Sequence, residues 1–140
     1  MKIGYTYVVA DIFHFGHLRY LQRGKKLCDK LIVGVLTDEA TMEKKQKPTI
    51  SYKERLEVVK SIKCVDRAII QKTYSPIPNV KKLKPDILIE SASHTKEAIK
   101  EAKETMEKIG GKVKVLSYYN PQSSTSIKLK ILNEYKRNKK

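Results

Sequence analysis

No run of apolar residues in this chain approaches the roughly 18 that a membrane-spanning helix requires. The amino-terminal stretch MKIGYTYVVADIF lacks the small-residue cleavage site of a signal peptide, so we interpret it as a first β-strand. Cysteine is also scarce, because Cys28 and Cys64 are the two in the chain and do not have the spacing of a metal or redox motif. These features are typical of a reducing compartment. We therefore expect a cytoplasmic protein without a membrane span.

Acidic residues are few relative to basic ones. The chain has 15 Asp and Glu against 30 Lys and Arg, which gives a formal net charge of +15. A surplus of this size indicates anionic partners such as nucleic acid, an anionic membrane surface or phosphorylated small molecules. The lysines are spread along the whole chain, which is more typical of a solvated surface than of a nucleic-acid groove. We expect no specific nucleic-acid partner.

Neither an internal repeat nor a low-complexity linker interrupts the 140 residues, a length typical of one domain. Short apolar, β-branched runs predict five strands, at residues 3–9, 30–37, 65–70, 86–90 and 112–117. The central runs are almost entirely apolar, as expected of parallel strands that are covered on both faces.

Amphipathic segments between these runs predict helices, at residues 16–28, 51–62, about 94–109 and from Ser123 or Ser124 onward. Ser51 and Glu54 have the spacing of a capping box, and Gly110 is suited to end the third of these helices. Strands that alternate with helices predict one α/β domain over residues 1–140. We expect a Rossmann-like fold with a five-stranded, doubly wound parallel sheet.

The stretch DIFHFGHLRYL, residues 11–21, joins the first predicted strand to the first predicted helix. In an open parallel sheet, ligands bind outside the carboxyl ends of the strands. Gly16 lacks a Cβ and lets a ligand approach the backbone, and the helix start offers free N–H groups to a phosphate. The imidazoles of His14 and His17 can donate hydrogen bonds to phosphoryl oxygens there. Two histidines in a loop are a weak signal alone, and no third ligand has the spacing of a metal site.

Several motifs together resemble the HxGH nucleotidyltransferases. TYVVADIFHFGHLRYLQRGKKL is followed by LTDEA, SYKER and VDRAI in the order and spacing of the small cytidylyltransferases, and QSSTSIK resembles the segment that opens their final helix. The layout is most similar to the glycerol-3-phosphate cytidylyltransferase family. The resemblance implies a nucleotidyltransferase domain over residues 1–140. It implies transfer of a nucleoside monophosphate, first of all CMP from CTP, to a small phosphorylated or phosphonylated acceptor such as glycerol 3-phosphate, with release of pyrophosphate.

The resemblance also assigns roles to residues. His14, His17 and Lys44 correspond to catalytic positions. Nucleotide-binding positions fall on Val9, Ala10, His14, Phe15, Gly16, His17, Tyr118, Ser123, Ser124 and Thr125. Acceptor-binding positions fall on Asp11, Lys44, Arg55 and His94. The implied cofactor is Mg²⁺ carried by the triphosphate, without protein side chains as metal ligands. Small members of the family are often homodimers, so a dimer is a possible assembly.

The chain departs from the family pattern at several positions. Val9 stands where a hydroxyl residue is common, Gln46 where a second loop lysine is common, and Lys63 and Tyr118 where arginines are common. The segment ESASHT replaces an acidic, tryptophan-bearing segment that shapes the base and acceptor pockets. His94, within it, either faces the cleft or is a solvated loop residue. These differences leave an ATP-dependent adenylyltransferase and a non-catalytic nucleotide-binding module as alternatives.

Overall fold

The computed structural model of the protein describes residues 1–117 and 123–139. The elements follow in chain order as β1 (Ile3–Val8), α1 (Phe15–Lys25), β2 (Lys30–Leu36), α2 (Asp38–Met42), α3 (Tyr52–Lys60), β3 (Arg67–Gln71), α4 (Ile77–Leu83), β4 (Ile87–Ser91), α5 (Lys96–Lys108), β5 (Lys112–Leu116) and α6 (Ser124–Asn138). None of the described helices is both long and apolar enough to cross a lipid bilayer.

The five strands form one parallel sheet in the order β3-β2-β1-β4-β5. β1 pairs with β2 along its whole length, from Ile3 opposite Lys30 to Val8 opposite Val35. The central strands are nearly continuous runs of buried residues, because helices cover both sides of a sheet of this kind. The structure confirms the predicted α/β class and the five-stranded, doubly wound parallel sheet.

Two separate apolar cores lie on the two faces of the sheet. One packs the side chains of β2 and β4 against α1 and α3, with Leu21 and Val59 fully buried. The other packs β1 and β4 against α4 and α5, around Val80, Ala102 and Met106. The helices α1, α3, α4 and α5 therefore each present an apolar side to the sheet, and the sheet positions the loops at its carboxyl edge.

The predicted strands agree with the observed ones to within two residues at each end, whereas two short helices were missed. α2 has five residues and α4 has seven, which is too short for a recurring apolar pattern. The capping box predicted at Ser51 does not form, because the Ser51 side chain makes no hydrogen bond to the helix backbone. Gly110 follows the last turn of α5 with a φ of 79°, a conformation that glycine adopts without steric cost.

The strand order reverses beside β1. The chain starts at the centre of the sheet, fills one side through β2 and β3, and then returns to place β4 on the other side of β1. The loops after β1 and β4 consequently diverge at the carboxyl edge and leave a crevice between them, the place where ligands bind in open α/β sheets.

Candidate active site

The loop from β1 to α1 has a constrained backbone. Ala10 and Ile12 have φ values of 58° and 49°, in the left-handed region that residues with a Cβ seldom adopt. Such conformations cost of order 1–3 kcal/mol each and persist only where the surrounding structure holds them. Here they turn the chain sharply, so that α1 begins directly beneath the carboxyl end of β1.

His14 and His17 cap the first turn of α1 with their side chains. The Gly16 N–H donates to Nδ1 of His14 at 2.9 Å, and the His14 N–H donates to Nδ1 of His17 at 3.2 Å. A nitrogen that accepts a hydrogen bond carries no proton, so each uncharged ring holds its proton on Nε2. The fold therefore fixes one tautomer for both rings, with Nδ1 turned to the backbone and the proton on Nε2.

Both histidines are kept uncharged by their surroundings. The pKa of His17 is lowered to about 3, mainly by burial and also by the nearby His14 and Lys45, although the carboxylate of Asp11 raises it. Burial also lowers the pKa of His14. The ring centroids lie 4.1 Å apart. Nε2 of His14 is buried without a hydrogen-bond partner among the described residues. An unpaired buried donor is costly, so this atom is suited to a ligand oxygen.

Asp11 joins three segments at the same place. Its carboxylate accepts from the N–H groups of Thr49 and Ile50, both at 2.9 Å, and from Nζ of Lys128 at 2.6 Å. The Ser124 hydroxyl donates to the Asp11 carbonyl oxygen. Burial raises the pKa of Asp11, but these hydrogen bonds outweigh it and the net shift is downward. Asp11 therefore holds the start of α6 beside the histidine loop.

A cavity of about 960 Å³ opens at the crevice between β1 and β4. This volume is within the range of small-molecule binding sites. Its basic lining residues are Lys45, Lys47 and Lys128, together with His14, His17 and His94. Its hydroxyl-bearing lining residues are Tyr7, Tyr20, Thr41, Tyr74, Ser91, Ser93, Ser123, Ser124 and Thr125.

The structure brings most of the predicted site residues to this cavity. The lining includes Val9, Ala10, Asp11, His14, His17, His94, Ser123, Ser124 and Thr125. Gly16 is buried behind His14, and Phe15 is 53% exposed outside the lining, where its ring contacts the Arg19 guanidinium. The prediction for Tyr118 lies outside the described residues.

Arg55 does not lie where its predicted role requires. Its side chain is buried, and the guanidinium donates to the carbonyl oxygens of Val9, Leu36 and Ile50 and to the carboxylate of Asp38, at 2.6–2.9 Å. These protein partners occupy the face that an acceptor phosphate would need. The predicted acceptor contact is therefore corrected to a structural role, in which Arg55 joins the ends of β1 and β2 to α3.

Lys44 also lies away from the cavity. It is in the turn directly after α2, where its N–H donates to the Thr41 carbonyl oxygen, and it is exposed. One step along a turn of this kind rotates a side chain by about 100°. Lys45 and Lys47 line the cavity instead. The lysine side chains at the cavity are therefore those of Lys45 and Lys47 rather than that of Lys44.

Glu90, Tyr7 and Lys128 are cavity-associated residues that sequence reasoning missed. Glu90 is 1% exposed at the end of β4, and its Oε2 accepts from the Tyr7 hydroxyl at 2.7 Å and from Nδ1 of His94 at 2.5 Å. The His94 side chain is 19% exposed and lines the cavity, so the alternative of a solvated loop residue is wrong. An acidic residue that ends an otherwise apolar strand was the available signal.

The comparison with known sequences decides the family. Residues 6–130 match the profile described as cytidylyltransferase-like. The chain belongs to the cytidylyltransferase-like family. The resemblance indicated by HFGH, SYKER and QSSTSIK is thereby confirmed, and the chain belongs to the nucleotidyltransferase enzyme class.

Curated relatives of this cytidylyltransferase-like domain are much longer proteins. The chain is 31% identical over 136 residues to the bifunctional protein HldE of Geobacter metallireducens, a match that covers 96% of this chain and 28% of the relative. HldE of Syntrophotalea carbinolica is 31% identical over 127 residues, with 89% and 26% covered. The chain thus spans about a quarter of the length of the curated relatives it matches.

Solved structures share the fold. A lipopolysaccharide core biosynthesis protein from Thermoplasma volcanium superposes with a TM-score of 0.73 at 32% identity, covering 85% of this chain and 97% of that one. Pantoate-beta-alanine ligase from Francisella tularensis superposes with a TM-score of 0.58 at 14% identity, covering 91% and 67%, which shows the fold alone. The cytidylyltransferase-like domain is therefore Rossmann-like, as predicted.

Proposed function

We propose that the chain transfers a nucleoside monophosphate from a nucleoside triphosphate to a small phosphorylated acceptor. A phosphate oxygen of the acceptor forms a bond to the α-phosphorus, and the bond from that phosphorus to the oxygen bridging the α- and β-phosphates breaks. The products are a nucleoside-diphosphate-linked acceptor and pyrophosphate. Because the nucleophile is already an anion, the reaction depends on positioning and on charge stabilisation.

The observation that carries this proposal is the pair of uncharged imidazoles with Nε2–H donors at the cavity. Their Nδ1 atoms are held by backbone N–H groups, so the rings cannot turn without losing the cap of α1. Donors that are fixed before the reaction stabilise the charge that develops on the α-phosphate without reorganisation. His14 and His17 are the residues assigned to this task.

The rest of the triphosphate is proposed to lie against the start of α6. Ser123 caps this helix through its side chain, and Ser124 and Thr125 are the first helical residues. The helix start offers N–H groups and the positive end of the helix dipole to the β- and γ-phosphates. Lys45, Lys47 and Lys128 supply positive charge along the same lining.

We propose that phosphate oxygens and water molecules, rather than protein side chains, bind the Mg²⁺ ion. Within the described ranges, no group of three or more His, Cys, Asp or Glu side chains is arranged to hold a metal ion. Asp11 is the carboxylate among the lining residues, and both of its oxygens already accept hydrogen bonds. A Mg²⁺ ion on the triphosphate would offset its negative charge and orient it, as Mg²⁺ does in sites with few protein ligands.

CTP is the first candidate nucleotide, because the motifs are most similar to those of the cytidylyltransferases. ATP is the alternative. For the acceptor we propose a polyol phosphate or sugar phosphate. Glycerol 3-phosphate follows from the resemblance, and a sugar phosphate is supported by the Thermoplasma relative, described as a lipopolysaccharide core biosynthesis protein.

Pyrophosphate release with each of the four nucleoside triphosphates, Mg²⁺ and a panel of phosphorylated polyols and sugars tests the proposal. The matched variant is His17→Asn, whose side-chain oxygen can still accept the His14 N–H while the Nε2–H donor is lost. We expect at least a 100-fold fall in turnover, the scale of losing one transition-state donor, with an unchanged circular dichroism spectrum. Wild-type rates in this variant would defeat the proposal, and nucleotide binding without pyrophosphate release would favour a non-catalytic module.

A further inference from the structure

The buried carboxylate of Glu90 has no part in the phosphate chemistry proposed above. It lies at the carboxyl end of β4 with 1% exposure, and a buried charge of this kind is retained only with close partners. Its partners are the Tyr7 hydroxyl and the His94 ring. The Tyr7 and His94 rings also stack on each other, with centroids 5.3 Å apart. Glu90 therefore fixes both rings that form this side of the cavity.

The contact with Glu90 gives His94 the opposite tautomer from His14 and His17. An ionised carboxylate accepts hydrogen bonds and donates none, so the proton of the 2.5 Å contact belongs to Nδ1 of His94. In the uncharged ring, Nε2 then carries a lone pair. Within residues 1–117 and 123–139 the hydrogen bonds of the His94 ring are all made by Nδ1, and His94 lines the cavity. At His14 and His17 the remaining ring nitrogen is a donor, whereas at His94 it is an acceptor.

Cationic and hydroxyl-bearing side chains also lie in different parts of the cavity lining. Lys128 contacts Asp11, and Lys45 is close enough to His17 to lower its pKa, so these two cations lie near the histidine loop. Near His94 the lining includes the hydroxyl-bearing residues Tyr7, Tyr74, Ser91 and Ser93. Ser91 and Ser93 share a hydrogen bond of 2.8 Å. These hydroxyl groups are suited to an uncharged, hydroxyl-bearing group.

We propose that Glu90 is a positioning residue that orients His94, and that Nε2 of His94 accepts a hydrogen bond from a hydroxyl group of the acceptor. This inference rests on the proposed function and extends it from any phosphorylated acceptor to one with a hydroxyl group at some distance from its phosphate. The phosphate lies near His14 and His17, and the hydroxyl-bearing end lies beside β4. A site that binds a hydroxyl through a fixed acceptor rejects analogues without it, because the bound analogue would cover the nitrogen and leave it unpaired.

Two variants separate the cavity-facing atom of His94 from its structural contact. In His94→Asn the side-chain amide can still donate to Glu90, but the atom in the place of Nε2 is lost. With glycerol 3-phosphate and its deoxy analogue propane-1,2-diol phosphate as probes, we expect the wild type to prefer glycerol 3-phosphate. The variant should raise the KM for glycerol 3-phosphate at least tenfold, lose that preference and keep the KM for the nucleotide within twofold. Glu90→Gln should give the same KM pattern in a weaker form.

Nitrogen-15 NMR of the three histidine rings tests the tautomers without turnover. We expect His94 to carry its proton on Nδ1 and His14 and His17 to carry theirs on Nε2, and Glu90→Gln should shift the ring resonances of His94 alone. An Nε2–H tautomer at His94, or a KM change confined to the nucleotide, would overturn the inference and leave the proposed function intact. A wild-type protein that releases no pyrophosphate with any nucleotide and acceptor would overturn both.

Discussion

At the scale of single residues, Nδ1 of a histidine ring is a hydrogen-bond acceptor at one place in the cavity and a donor at another. His14 and His17 accept backbone N–H groups at Nδ1 and carry their protons on Nε2, whereas His94 donates at Nδ1 to Glu90. The difference comes from the partner that the fold supplies, a helix start in one case and a buried carboxylate in the other. A histidine in the sequence therefore does not define its own chemistry.

Neighbouring lysines provide a matched pair at the residue scale. Lys45 lines the cavity, and Lys44 is exposed beside it. Lys45→Ala should raise the KM for the nucleoside triphosphate about tenfold, the loss expected when a hydrogen-bonded charge to phosphate is removed. Lys44→Ala should leave the KM within twofold. Steady-state kinetics on the two variants provides the measurement, and a larger effect for Lys44 would restore the role that the resemblance implied.

The sequence predicted those site residues that lie within contiguous motifs. The two histidines of HFGH and the residues of SST reach the cavity because each motif occupies the first turn of a helix, so local structure alone sets their direction. Glu90 and Lys128 could not be assigned in this way. Glu90 contacts His94 and Tyr7, and Lys128 contacts Asp11. These contacts depend on packing between separate elements.

At the scale of elements, Arg55 connects segments that are far apart in the chain. Its guanidinium, buried on α3, reaches the last residue of β2, the residue after β1 and the first turn of α2. It therefore fixes the loop that carries Ala10 and Asp11. The helix that carries the SYKER motif acts on the site through this connection rather than through substrate.

Arg55→Met should lower the free energy of unfolding by about 3 kcal/mol, because several buried carbonyl oxygens and the Asp38 carboxylate lose their donor. Lys60→Met, on the same helix but exposed, should change it by less than about 0.5 kcal/mol. Urea denaturation measures both. If Arg55→Met kept full stability yet lost affinity for the acceptor, the binding role predicted from the motif would be correct after all.

Strands were easier to predict than short helices for a physical reason. Buried parallel strands require apolar side chains on both faces, and this leaves a composition that is visible in four to six residues. α2 and α4 have five and seven residues, and they form because the chain must return over the sheet edge between longer elements. Their positions depend on the connections they complete rather than on a pattern of their own.

At the scale of the whole molecule, the histidine loop affects stability as well as chemistry. The pKa of His17 is about 3 in the fold and 6.5 as the ordinary value. Between these values the unfolded chain binds a proton that the folded chain does not, so the free energy of unfolding falls as the pH falls below 6.5. The stabilisation is present in full above pH 6.5 and is lost progressively toward pH 3.

Urea denaturation at pH 7.5 and pH 5 tests this linkage. The value of pH 5 is roughly 1.5 units below the pKa of His17 in the unfolded chain. Protonation of His17 in the unfolded chain should therefore lower the free energy of unfolding by about 2 kcal/mol at pH 5. In His17→Asn this component is absent, so the variant should lose about 2 kcal/mol less than the wild type between the two pH values. Equal losses in the two proteins would show that His17 is protonated in the fold at pH 5.

The sequence by itself determined the class of this protein. Its alternation of apolar strands and amphipathic helices predicts the doubly wound sheet, and its ordered motifs predict the cytidylyltransferase-like family, because both are written in contiguous residues. Only the tertiary structure decided which basic residues reach the cavity, that Arg55 is buried in the protein, and that Glu90 orients His94. Those facts depend on distances between separate elements, and packing sets such distances.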